Sequence, residues 1–430
     1  MARRRLECCI KIIRNMLIIC IFVVLFCAYK VRKLHKNEVA SQIPKDSLKY
    51  IFFNKKPQNH IKSPETIASL ISFYNQQENI LNEDFYGPIE KDTVVFVVTV
   101  HKLSIYLEFL LVSLSQVRGI ENAFIIFSHS YFDDDLNDLI QSIDFARVMQ
   151  IFYPFSIQLY SNVFPGFHPL DCPYSMSIED AEALNCTGSF DSDLHGHYRN
   201  PTHSELKHHW WWTANTVFEK LSSSIKHTGL VIFLNDDVFL LQDFMYMIIS
   251  MRQVANFLPS YDFLSLDTTL DMNNLNSYRV DIQKWVPTNN PDVLAFDVNT
   301  WKSIVSNYDL FCDIDDYSWA RSLYFVSLNR ERGSSPYRVM TARMARAFKT
   351  SNCGFEAKLV DCDAIESVYQ VLNLQKKMKD ELFPIFLEVY TLVELEDSFE
   401  NFDFAQINGG WKDPRDKELC QKLTIRKKKT

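Results

Sequence analysis

The chain predicts an α/β fold in which a mostly parallel sheet is flanked by helices, and three observations predict it. Thr93–Val100 (TVVFVVTV) is a continuous β-branched and aromatic run, as in strands buried on both faces. Strand-like and helix-like segments then alternate, and a β-α-β-α-β order requires parallel strands with right-handed crossovers. Hydrophobic residues make up 47% and charged ones 23%, enough to fill a core over most of the length. Glycine is scarce, at 10 of 430 residues, which argues against collagen-like and Gly-rich phosphate-loop architectures.

At the N-terminus, Met16–Tyr29 (MLIICIFVVLFCAY) is apolar without interruption. That is shorter than the roughly 20 residues a membrane-spanning helix needs. Carried back to Ile10 it is long enough, with Lys11 and Arg14 near enough to the interface to snorkel. A cleaved signal peptide also has a short apolar region. An anchor is favoured, because no small-residue cleavage site follows and Lys30, Arg32, Lys33 and Lys36 come next. Arg3, Arg4 and Arg5 put positive charge ahead of the span, which predicts a cytoplasmic N-terminus, and a short span suits a thin, early secretory membrane. The expected layout is a cytoplasmic tail at 1–9, a signal-anchor at 10–29, a stem at 30–90 and a lumenal domain at 91–430. Residues 1–36 hold nine Lys/Arg and one Glu, hence +8; as the whole chain is −8, the remainder carries −16. An acidic body argues against a nucleic-acid partner, because phosphate binding rests on clustered cations; it also serves solubility.

The stem mixes Lys, Asn, Gln, Ser and Pro, with a helix expected near Thr66–Tyr74. After the first strand, residues 105–119 (IYLEFLLVSLSQVRG) show helical spacing with Gly119 as a stop. AFIIFSHS, 123–130, reads as a strand; DDDLNDLIQSI, 133–143, as a helix with acids in its first turn; VMQIFYPF, 148–155, as a third strand. Pro154–Arg199 is a turn-rich excursion. KHHWWWTANTVFEKL, 207–221, is a helix, and Leu230–Leu234 the next strand. Four of the ten cysteines (Cys8, Cys9, Cys20, Cys27) lie in or beside the apolar span. The other six form an even set beyond an anchor, which reads as three disulfides; zinc is the alternative, without CxxC or HxxxH spacing to support it.

The pattern delivers Asn235-Asp236-Asp237 to the carboxyl end of a parallel strand, where open α/β sheets bind ligands. Two adjacent aspartates repel, and a divalent cation is the usual relief. An oxygen-rich set suits magnesium or manganese, and such a metal on a nucleotide diphosphate neutralises a leaving group. Nucleotide-sugar glycosyltransferases of the GT-A type use an acidic cluster of this form. Adjacent strand residues point to opposite sides, so Asp237 is assigned to the metal and Asp236 either to the sugar side or to a position behind the metal's direct ligands. For this segment alone a solvated turn is the plainer reading.

Further segments carry a resemblance: IIFSHSYF (125–132), FYPFSIQLYSNVFPG (152–166), DCP (171–173), GHYR (196–199), KHHWWW (207–212), FLNDDVFLLQDF (233–244), DFLSL (262–266), FCDIDDYSW (311–319) and NGGWKDPRDKELC (408–420). Together they resemble, in order, the β-1,2-N-acetylglucosaminyltransferase II family, which acts on the α-1,6-mannose arm of N-glycans. The resemblance implies a GT-A fold, a type II Golgi membrane protein, UDP-GlcNAc as donor, mannose-terminated N-glycans as acceptor, Mn²⁺, and inversion at the anomeric carbon. It also implies the pairings Cys172–Cys186, Cys312–Cys420 and Cys353–Cys362, and makes His101, Asn235 and Asp236 donor-binding and Tyr317 and Trp319 acceptor-binding. Homodimerisation is left open.

The chain departs from the family at several positions. Asn235-Asp236-Asp237 replaces Glu-Glu-Asp. His101-Lys102-Leu103 replaces His-Asn-Arg, and Ser128-His129-Ser130 replaces Ser-His-Asp. Lys349 stands where a metal-ligating His is expected. Tyr317-Ser318-Trp319-Ala320 replaces Tyr-Asn-Trp-Asp, so the base position is Ala320. General base help is worth on the order of 10²–10⁴-fold; Asp315 or Asp316 could supply it, and Asp316 is the expected base, with a helix N-cap as its other reading. These departures keep two further readings open: a Golgi binding or scaffold protein on the same fold, and a transferase with changed donor or acceptor, since Tyr174 replaces a basic acceptor-contacting residue. Trp210–Trp212 read as core residues with one able to face a sugar, and His208 and His209 as structural. Asn185-Cys186-Thr187 is the one glycosylation sequon.

Overall fold

The computed structural model describes residues 2–51, 62–102, 104–223, 227–255, 261–266, 276–287, 291–329, 336–351, 364–391 and 409–425. The first half runs α1 (Ala2–Gln42), α2 (Pro64–Gln77), α3 (Glu83–Tyr86), β1 (Val95–Val100), α4 (Ile105–Leu114), β2 (Phe124–His129), α5 (Asp134–Gln141), β3 (Arg147–Phe152), α6 (Ile178–Leu184), α7 (Pro201–Asn215), β4 (Val231–Asn235) and β5 (Val238–Leu240). Then follow α8 (Phe244–Ala255), β6 (Phe263–Ser265), β7 (Arg279–Lys284), β8 (Val293–Phe296), α9 (Val298–Val305), α10 (Tyr308–Asp313), α11 (Trp319–Leu328), β9 (Arg338–Ala342), β10 (Ala347–Lys349), α12 (Ala364–Lys377), β11 (Glu388–Thr391) and α13 (Pro414–Leu423).

Nine strands form one sheet in the order β11-β7-β9-β6-β8-β4-β1-β2-β3. β3, β2, β1 and β4 are all parallel, as the alternation of segments predicts. The unbroken apolar run of β1 has a direct cause. Phe96, Val98 and Val100 enter the apolar layer shared with α4, α5, α8 and α12. Val95 and Val97 enter the opposite layer, with α7, α9, α10, α11 and α13. Both faces are covered, so neither can be polar. Beyond β4 the sheet becomes mixed: β8 is antiparallel to β4 and β6, β9 is parallel to β6, and β7 is antiparallel to β9. The chain is thus α/β with a mostly parallel sheet.

The expected stem at 30–90 needs correction. Val39, Ile43 and Tyr50 are buried in the layer that holds α4, and Tyr50 Oη donates to Asp144 Oδ1 at 2.8 Å. α2 covers β3, which is an edge strand with backbone groups to satisfy. Asn75 Nδ2 donates to the Phe152 carbonyl at 2.6 Å while the Phe152 N–H donates to Asn75 Oδ1 at 2.8 Å. Leu81 exchanges backbone hydrogen bonds with Val148 at 2.8 and 3.1 Å. These residues belong to the folded body. At the N-terminus α1 is one continuous helix, on which Ile19, Phe22, Leu25 and Phe26 are exposed. No helix among the described residues is long and apolar enough to cross a membrane.

A buried ion pair ties the irregular excursion to the C-terminus. Arg199 donates to both Asp416 oxygens, Nε at 2.7 Å and Nη2 at 2.9 Å, and to the Pro165 and Gly166 carbonyls at 2.7 and 3.2 Å. Ser204 Oγ donates to Asp416 Oδ2 at 3.0 Å. His208 Nε2 is 2.9 Å from the Asp416 carbonyl. The Cys172–Cys186 disulfide closes the excursion, and Cys312–Cys420 joins α10 to α13. Cys353 and Cys362 lie outside the described residues, as do Leu103 and Lys427–Lys429. The Asp416 carboxylate has no exposure to solvent, so removing it strands a buried guanidinium. Asp416→Ala is expected to destabilise the fold by about 3–5 kcal/mol, measured by urea unfolding; a loss below about 1 kcal/mol, the range of a surface pair, would contradict this account of the ion pair.

Candidate functional site

β4 ends where the carboxylates begin. The chain turns through Asp236 and Asp237 and continues as β5, which pairs antiparallel with β10 in a separate two-stranded sheet and sets Lys349 opposite Val238. Parallel pairing of β1 with β4 sets Thr99 beside Asn235, so His101 lies just past the end of β1. Its backbone N–H donates to Asp236 Oδ2 at 3.3 Å. The His101 ring meets Ser130 Oγ at 3.0 Å through Nδ1 and lies 5.7 Å from the His209 ring. Burial pulls its pKa down to about 4, so the imidazole is neutral at physiological pH. The structure therefore places His101, Asn235, Asp236 and Asp237 near one another at the carboxyl rim of the parallel strands.

The two aspartates differ. Burial, then the charge of Asp237, pushes Asp236 up to about 7. Burial raises Asp237 as well, opposed by the Lys349 charge and a hydrogen bond from Ser351. Ser351 Oγ donates to Asp237 Oδ2, and the Lys349 ammonium is 3.6 Å from the same oxygen and 3.0 Å from Asp292 Oδ1. Thr350 N–H and Oγ1–H donate to the Asp237 carbonyl at 2.8 and 2.7 Å. Asn235 turns toward Asp292, its Nδ2 donating to Oδ1 at 2.8 Å, so it shapes the rim through that carboxylate.

The expected Mn²⁺ does not fit this donor set. Asp237 Oδ1 is buried without a hydrogen-bond partner among the described residues, which alone would suit a metal. But the neighbouring oxygen already faces an ammonium, and a divalent cation there would be repelled by it. Among the described residues no three His, Cys, Asp or Glu side chains converge to hold an ion.

α7 links this rim to the loop expected to meet an acceptor. From its first half, the Lys207 ammonium donates to the Ile314 and Asp316 carbonyls at 3.1 and 3.0 Å and lies 4.1 Å from the centre of the Trp411 ring. Burial pulls Lys207 down to about 7. The Asn200 N–H donates to Tyr317 Oη at 2.8 Å. The Tyr317 ring packs so closely on Gly410 that a Cβ there would sit 1.9 Å from Cε2, and Gly410 has φ of +84°; only glycine satisfies both constraints. Trp319 lies flat on Trp210, with centroids 4.2 Å apart and planes within 2°. The three adjacent tryptophans are all buried, because α7 is enclosed on every side: Trp210 on Trp319, Trp211 on Phe311, Trp212 on Tyr153. None presents a face to a sugar. His208 and His209 are structural, as expected, His209 Nε2 lying 2.9 Å from Ser128 Oγ.

The assignment of Asp316 as base is corrected. Its side chain has no solvent exposure. Oδ1 accepts the Ser318 N–H at 2.7 Å, and Oδ2 is 3.9 Å from Arg321 Nη1. Ser318 caps α11, its side chain accepting from the Arg321 N–H, and Asp316 supports that cap. Asp315 differs. Its Oδ1 accepts the Trp411 N–H at 2.8 Å; Oδ2 takes no hydrogen bond among the described residues and lies 4.0 Å from Lys412 Nζ. Burial raises its pKa, partly opposed by the Trp411 N–H. Sequence adjacency alone could not separate the two acids.

Comparison with known proteins agrees with this frame. The family model for N-acetylglucosaminyltransferase II matches residues 68–420. The alpha-1,6-mannosyl-glycoprotein 2-beta-N-acetylglucosaminyltransferase of Mus musculus is 34% identical over 82% of this chain and 78% of its own length. The Homo sapiens protein of that name is 33% identical over the same shares, and the Arabidopsis thaliana one 29% identical over 79% and 76%. Among solved structures, a mannosyltransferase from Pyrobaculum calidifontis in complex with GDP-Man and Mn2+ covers 73% of this chain and 81% of its own at 10% identity, with a TM-score of 0.30; that likeness is too weak to bear on the fold. The match from the second turn of α2 to Cys420 spans the rim, α7 and the Asp416 ion pair, and the chain belongs to the N-acetylglucosaminyltransferase II family of glycosyltransferases.

Proposed function

We propose that the chain is an inverting GT-A glycosyltransferase that moves N-acetylglucosamine from UDP-N-acetylglucosamine onto the α-1,6-linked mannose of N-glycans in β-1,2 linkage. The observation that carries the reading is the acidic pair Asp236–Asp237 at the carboxyl end of β4, beside His101, in a chain of this family. In the reaction an acceptor hydroxyl oxygen attacks the anomeric carbon opposite the diphosphate. The new carbon–oxygen bond forms as the bond to phosphate breaks, and the electron pair leaves with UDP. His101 and Asp236 position the donor, and Asn235 supports the rim through Asp292. Tyr317 shapes the acceptor side, and Trp319 supports it from its stack on Trp210. Asp315 takes the proton of the attacking hydroxyl: its Oδ2 has no hydrogen bond to give up among the described residues, and its raised pKa brings it nearer the range in which a base is effective.

The basic and apolar character of the N-terminal sequence supports a type II anchor over 10–29, with the body in the Golgi lumen. A second reading, a sugar-nucleotide binding protein without catalysis, is favoured by one observation: position 320 is a fully buried alanine.

Incubating the full chain with UDP-N-acetylglucosamine and a mannose-terminated N-glycan is expected to release UDP only when acceptor is present. Donor binding with no acceptor-dependent release would leave the second reading standing. Asp315→Asn is expected to lower kcat by roughly 10²–10⁴-fold and to abolish the acid limb of the kcat/KM profile. That limb should lie above the ordinary carboxylate range, because burial raises the acid. Asp316→Asn should instead lower stability by about 1–3 kcal/mol, read by thermal unfolding, while the pH profile of the remaining activity keeps its shape. The reverse pattern would return the base to Asp316.

A further inference from the structure

Resting on the transferase reading, the next inference concerns what holds the donor's diphosphate. The position of Lys349 is fixed by the backbone. β10 pairs with β5 so that Lys349 faces Val238, the residue after Asp237. The next residue, Thr350, clamps the Asp237 carbonyl through both its N–H and its hydroxyl. The ammonium therefore reaches Asp237 and Asp292 without any rearrangement of the chain. Exposure is graded across the group: the Lys349 side chain is 41% exposed, while those of Asp237 and Asp292 are 17% and 20% exposed. The carboxylates thus lie deeper than the cation and hold it from behind. An ammonium carries three N–H donors. One donates to Asp292 Oδ1 at 3.0 Å, and Asp237 is held at ion-pair distance, 3.6 Å, which leaves donors for a phosphate oxygen arriving from solvent.

We propose that Lys349 is the resident cation of this site, and that the chain binds its nucleoside diphosphate sugar without a divalent metal. The tethered charge does what a bound ion would otherwise do at Asp237, and its presence disfavours such an ion. A single positive charge offers a diphosphate less than a divalent one. Donor affinity should therefore be modest and fall with added salt, because a partly exposed charge is screened.

Calorimetric titration of UDP into the full chain tests this, once in excess EDTA and once with Mn²⁺. The expected result is the same dissociation constant in both. Lys349→Ala is expected to weaken UDP in EDTA by roughly tenfold or more, the loss of a charge-assisted hydrogen bond. With the ammonium gone, Mn²⁺ should recover part of that loss, because Asp237, Asp292 and Ser351 then offer oxygens alone. UDP binding by the natural chain that is absent in EDTA and appears with Mn²⁺ would overturn the inference and leave the transferase reading intact. An unchanged affinity of Lys349→Ala in EDTA would also overturn it. No UDP binding in either condition would remove both.

Discussion

The buried pair of Arg199 and Asp416 is the interaction on which the rest of the site depends. Two charges taken out of water cost several kcal/mol each unless their geometry and remaining hydrogen bonds compensate. Here the contact is two-pronged, and Ser204 and the Pro165 and Gly166 carbonyls satisfy the donors and acceptors left over. The distances in sequence are large: the partners are 217 residues apart. The excursion after β3, the start of α7 and the helix α13 cannot all be in place unless this contact has formed. Those segments are also among the ones that carry the family resemblance, which gives their chemistry a physical reason: they meet at one ion pair.

α7 transmits that constraint to the functional rim. Its N-terminal half is held by Asp416, and its Lys207 props up the Ile314 and Asp316 carbonyls of the loop that leads into α11. One turn on, Trp210 supports Trp319 from beneath, and His209 stands beside His101. Its buried charged and hydroxyl-bearing side chains find partners: Lys207 its carbonyls, His208 the Asp416 carbonyl through Nε2, His209 the Ser128 hydroxyl, and Thr213 the same hydroxyl at 2.7 Å. The like-charged pair at the end of β4 is relieved differently at each carboxylate, by a backbone N–H at Asp236 and by an ammonium and a hydroxyl at Asp237.

How much of this was legible in the sequence follows from strand length and burial. β1 to β4 announce themselves because strands of five or six residues buried on both faces leave long apolar runs. The far half of the sheet left no such trace: β6 and β8 are three and four residues long, and β11 buries none of its residues fully. The polar composition of 30–90 suggested a solvated stem because its buried apolar positions are few and scattered, Val39 near the end of α1, Ile43 just beyond it, and Ile67 and Ile71 four apart on α2. The acidic rim could be read because both residues are adjacent. Lys349 is brought to it by strand pairing across more than a hundred residues, and only the family comparison drew notice to that position. The choice between Asp315 and Asp316 needed side-chain direction, which no spacing rule contains.

The cover over β3 also bears on how copies of the chain can associate. Asn75 imitates one residue of a neighbouring strand, engaging both the N–H and the carbonyl of Phe152, and Leu81 does the same for Val148 with its own backbone. An incoming strand would find these outward groups already engaged at two places along a six-residue edge. Sheet-to-sheet joining through this border is therefore blocked from within.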